Sequence, residues 1–65
     1  MESNCKNIIS ELQAIEIAES VIDGIVVEMG LNKDIYDLEL LTYHGKTRIE
    51  LDALTGNVIN KNTID

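Results

Sequence analysis

The sequence predicts an α+β fold: one N-terminal amphipathic helix packed on a three- to four-stranded antiparallel β-meander. Three observations predict it. Apolar residues recur at helical spacing over residues 12–22. From Ile25 onward apolar and polar residues alternate. Turn-forming residues then break the alternation at residues 32–34, 44–45 and 52–57.

The helix has a start signal and a stop signal. Ser10 is a good N-cap, and Gln13 three residues later completes a capping-box pattern. Glu11 adds a negative charge in the first turn, where the helix dipole favours it. Leu12, Ala14, Ile15, Ile17, Ala18, Val21 and Ile22 share one arc, with Gln13, Glu16, Glu19, Ser20 and Asp23 opposite. Ala14 and Ala18 lie one turn apart and allow a sheet to approach closely. Gly24 reads as the stop just past the last turn. The acidic polar face argues against a membrane-surface helix, which usually carries Lys and Arg there.

The strands follow in order. Ile25, Val27, Met29 and Leu31 alternate with Val26, Glu28 and Gly30. Tyr36, Leu38 and Leu40 alternate with Asp37 and Glu39, and Thr47, Ile49, Leu51 and Ala53 with Arg48, Glu50 and Asp52. A two-residue His44-Gly45 loop pairs Leu40 with Ile49, Leu38 with Leu51 and Tyr36 with Ala53. A Leu31–Asp34 pairing brings Met29 to Tyr36, Val27 to Leu38 and Ile25 to Leu40. Both registers gather the apolar sets on one sheet face, to be covered by the helix.

The residues Asp52, Ala53, Thr55 and Gly56 form a structural turn motif. Asp and Thr side chains accept from backbone amides just downstream, and Gly56 takes φ > 0 without a Cβ penalty. Val58-Ile59 then returns as a short edge strand. Residues 1–7 are polar and aperiodic and are expected to fray, as are residues 61–65; a single domain occupies 8–60.

Composition narrows the function classes. Twelve acids against five bases give a net charge of −7, which would repel nucleic-acid phosphates and an anionic membrane surface. No apolar run reaches the roughly 20 residues a membrane span needs, and residues 1–7 lack the basic start and apolar centre of a signal peptide. With one cysteine and one histidine, neither an intrachain disulfide nor a zinc site is expected. A chain this size buries only about 60% of its unfolded surface, so the aliphatic core is marginal, or self-association supports it.

Enzyme chemistry finds little support. His44 at a hairpin tip reads as a solvated turn residue, Ser10 as a cap, and Cys5 as an inert thiol in the tail. No catalytic group, cofactor or metal is expected. On the far sheet face, the expected register lines up Glu28, Asp37 and Asp52 in one row and Val26, Glu39 and Glu50 in the next, with Arg48 the nearby base. Like charges opposite one another are destabilising. These five acids form either a docking face for a basic partner or a solvated face that charge keeps from aggregating.

In this order and spacing, several motifs resemble a PepSY domain, the module of peptidase propeptides and spore-germination proteins. They are Ile9-Ser10 with Ala14-Ile15-Glu16-Ile17-Ala18, Gly24, Tyr36-Asp37-Leu38-Glu39-Leu40, Gly45, and Leu51-Asp52-Ala53-Leu54-Thr55-Gly56-Asn57-Val58-Ile59. The last is similar to a V-D-A-x-T-G-x-V/I signature, with Leu51 in place of Val. The resemblance covers roughly residues 8–60. It implies a helix on an antiparallel sheet, an extracytoplasmic or cell-envelope setting, and a non-catalytic module that binds or restrains a peptidase or envelope protein. Its motif positions are structural. The alternative is a structural or regulatory domain of a larger assembly, or a homodimer that joins through an edge strand.

Overall fold

A computed structural model describes residues 8–63. Helix α1 (Glu11–Val21) is followed by β1 (Gly24–Asn32), β2 (Ile35–Thr42), β3 (Gly45–Asp52) and β4 (Val58–Thr63). The strands form one antiparallel sheet in the order β1-β2-β3-β4. The architecture is the α+β one that the change of period predicts. The N-terminal segment 1–7, with Cys5, and residues 64–65 lie outside the described residues.

The helix starts where its capping box places it. Ser10 Oγ accepts the Gln13 N–H at 3.1 Å, and Gln13 Oε1 accepts the Ser10 N–H at 2.9 Å. Its packing stripe is narrower than the apolar arc. Ala14 and Ala18 are fully buried, Ile15 and Ile17 pack on the core, and Leu12 and Val21 at the two ends remain exposed. The helix exits through Ile22 in extended conformation. Gly24 is therefore not a left-handed cap but the first residue of β1. A side chain there would meet the Leu41 carbonyl oxygen at 2.5 Å, so the residue is small because β2 lies against it.

The core is Leu38, Leu40, Ile49 and Leu51, all fully buried, with Tyr36, Ala53, Ile22 and the two helix alanines. Full burial of one such Leu or Ile stabilises the fold by about 1.5–3 kcal/mol. The faces of β2 and β3 match the alternation, but both registers are displaced by two residues. Leu40 pairs with Thr47, Leu38 with Ile49 and Tyr36 with Leu51; Leu31 pairs with Tyr36 and Met29 with Leu38. Hydrophobic pattern fixes the face, which has a period of two, and leaves displacements by two to the turn. At the β2–β3 turn, Thr42 Oγ1 accepts the His44 N–H at 3.1 Å and donates to the Gly45 carbonyl at 2.9 Å. That makes Tyr43-His44 the loop, and Gly45, at φ 121°, the first residue of β3.

Strand β1 departs further. A bulge between Val26 and Glu28 turns Val26 toward the core, opposite Leu40, and leaves Ile25 and Val27 exposed, where simple alternation had buried them. The Glu19 carboxylate accepts the Val26 N–H at 3.2 Å, so the helix itself satisfies an amide at the bulge. Strand β4 is longer than the Val58-Ile59 pair expected, and it carries residues 61–63 that were expected to fray.

Candidate functional site

Two surfaces follow from this frame. The first is the sheet face away from the helix. The displaced register changes its charge rows. Glu28 now faces Glu39, which faces Arg48; Asp37 lies between Gly30 and Glu50; and Asp52 pairs with Ile35, away from the others. The expected Glu28–Asp37–Asp52 and Val26–Glu39–Glu50 rows are thus not formed. Arg48 sits between two acids, with Nε 3.3 Å from Asp37 Oδ1 and Nη2 3.4 Å from Glu39 Oε2. The Asp37 oxygen is buried without an aligned hydrogen bond, so that contact is ionic only. These groups and Glu28 border an open depression of about 450 Å³ over Gly30. Among the described residues, no three His, Cys, Asp or Glu side chains converge as a group able to hold a metal ion.

Asp52 belongs to a different place, the turn after β3. Its Oδ1 accepts the Leu54 N–H at 2.8 Å, its carbonyl accepts the Gly56 N–H at 2.6 Å, and its own N–H donates to the Asn57 carbonyl at 2.8 Å. Thr55 Oγ1 accepts the Asn57 N–H at 3.2 Å. Gly56 has φ 83°, and a Cβ there would lie 3.1 Å from Ile17 of the helix. The turn also holds the chain entering α1. Ile9 donates its N–H to the Ala53 carbonyl at 2.8 Å and accepts the Tyr36 hydroxyl at 2.7 Å. The Tyr36 hydroxyl gave no sign of this role in sequence, because only the fold brings Ile9 to it.

The second surface is a trough on the helix side of the sheet, beyond the C-terminal end of α1. The helix stops at Val21 and leaves the inner face of β4 uncovered; every residue of β4 is exposed. The trough encloses about 310 Å³ and is bordered by Val21, Asp23, His44, Thr47, Lys61 and Thr63, among others. Lys61 lies opposite the buried Ile49, and Thr63 opposite Thr47. Sequence reasoning missed this place because it assigned Lys61 to a fraying end. Asn60-Lys61-Asn62-Thr63 is polar throughout, so no apolar alternation marked it as a strand.

The two sheet edges also differ. In β1 the bulge interrupts the edge and Glu19 occupies the Val26 amide. In β4 the Lys61 N–H points away from β3 and donates to the adjacent Asn60 Oδ1 at 2.9 Å, a bond that one exposed rotamer change releases. No α-helix among the described residues is long and apolar enough to cross a membrane. Comparison with protein-family models, with curated proteins and with solved structures finds no match.

Proposed function

We propose that the chain is a non-catalytic interaction module that binds and restrains a peptidase or another envelope protein by accepting an extended segment of it along β4. The observation that carries this reading is the edge itself. Strand β4 is exposed along its whole length, and its outward Lys61 amide is held only by a neighbouring side chain. Strand addition draws its affinity from such main-chain donors and acceptors. The resemblance of residues 8–60 to PepSY domains supports a peptidase as the partner. The acids around Arg48 suit a partner whose contacting surface is basic.

The test is to mix the purified domain with a thermolysin-type metallopeptidase and follow both peptide hydrolysis and complex formation by size-exclusion chromatography. The expected result is a complex and slower hydrolysis, both lost in Lys61→Pro, which removes the outward amide donor and leaves the paired amides of Asn60 and Asn62 in place. Unchanged hydrolysis together with no complex would overturn the peptidase assignment. A dimeric mass that Lys61→Pro makes monomeric would move the edge to self-association.

A further inference from the structure

We propose that the trough between the end of α1 and the inner face of β4 binds a short zwitterionic peptide, a dipeptide with an apolar side chain. Asp23, His44 and Lys61 border one cavity, and none of them has an ion-pair partner among the described residues; Arg48, with its two ion pairs, lies on the opposite face. Lys61 is exposed on the helix side of the sheet, in register with a fully buried isoleucine.

The signs and positions select the ligand. Lys61 and the imidazole of His44 supply donors for a carboxylate. Asp23, on the connection between helix and β1, supplies an acceptor for an ammonium group. Thr47 and Thr63 are partners on paired strands and both border the cavity, and their hydroxyls suit a peptide bond or a carboxylate oxygen. Val21 gives an apolar wall, 41% exposed with nothing covering it. An inorganic anion or a nucleotide would meet Asp23 and an overall charge of −7. A metal ion would find one carboxylate and one imidazole beside a lysine, too few ligands to hold it.

Volume distinguishes a dipeptide from a free amino acid. A cavity of about 310 Å³ holds a dipeptide and little more. The inference does not depend on strand addition at β4.

The test is amide chemical-shift titration of the whole chain with alanyl-leucine, its N-acetylated form and its C-terminal amide. Alanyl-leucine should shift the amides of Asp23, His44, Thr47 and Lys61 saturably, in the millimolar range. Each blocked form should bind at least about threefold more weakly, the scale of one solvent-exposed charge contact. Lys61→Gln should make binding indifferent to the carboxyl block, and Asp23→Asn should make it indifferent to the acetyl block. Equal affinity for all three peptides, no saturable shift, or shifts confined to the open sheet face would overturn the proposal. Lys61→Gln keeps the edge amide that Lys61→Pro removes, so failure here and failure of the edge reading are separately visible.

Discussion

At one end of the sheet, around residues 52–57, backbone donors find short, well-placed acceptors. Asp52 holds Leu54, Gly56 and Asn57; Ala53 donates to the Asp34 carbonyl and accepts from Ile9; and Tyr36 closes the group from below. At the other end the Tyr43-His44 turn is held by Thr42, Tyr43 is 95% exposed, and Asp23, His44 and Lys61 border a cavity without charge partners among the described residues. A domain this small has little free energy to distribute. It is concentrated where the entering chain, the helix and the last turn meet, and polar groups are left uncommitted at the far end. Local stability that varies across a structure in this way is the usual basis for a binding region on a rigid support.

The largest way to break this contrast is Gly56→Val. The residue sits at φ 83°, and an added Cβ would press on Ile17 at 3.1 Å. The variant should lose about 2–4 kcal/mol from backbone strain and overpacking together. Thermal unfolding would register this as a fall in Tm of about 10 °C or more. An unchanged Tm would show that the turn is not the structural anchor.

A smaller test is Asp52→Ala. It removes the carboxylate that holds the Leu54 N–H at 2.8 Å and leaves the main-chain bonds of the turn in place. The expected loss is about 1 kcal/mol in chemical denaturation, with alanyl-leucine binding on the folded fraction unaltered. A loss of binding without a loss of stability would make Asp52 a site residue.

These features differed in how far the sequence revealed them. The helix face and the buried sides of β2 and β3 were legible because a period of 3.6 and a period of 2 each leave a clear apolar set. The turn at residues 52–57 was legible too, since Asp, Thr and Gly at those positions have one local use. The register was not. A displacement by two residues keeps every side chain on its face, and Thr42 decided it through bonds that only the folded turn displays. The β1 bulge was also hidden, and it moved Val26 inward and Ile25 and Val27 outward. Because the charge rows depend on register, the acidic face was placed on the correct side with the wrong neighbours. The trough was invisible for a third reason: it exists where an element ends, and apolar pattern does not report that α1 stops short of β4.

The smallest expected effect on stability is the one that most sharpens the contrast. Lys61 is exposed on an edge strand, its charge has no partner among the described residues, and the hydrogen bond from its backbone N–H to Asn60 Oδ1 does not involve its side chain. Lys61→Gln should therefore change stability by no more than about 0.5 kcal/mol, in denaturation run beside Asp52→Ala. If the lysine instead held β4 on the sheet through contacts of its methylene chain, the loss would approach that of a packed residue, and amide exchange along residues 58–63 would accelerate. A near-zero change with altered peptide binding would mean that the charge at this end contributes to recognition and not to the fold, the reverse of Asp52, whose carboxylate serves the turn.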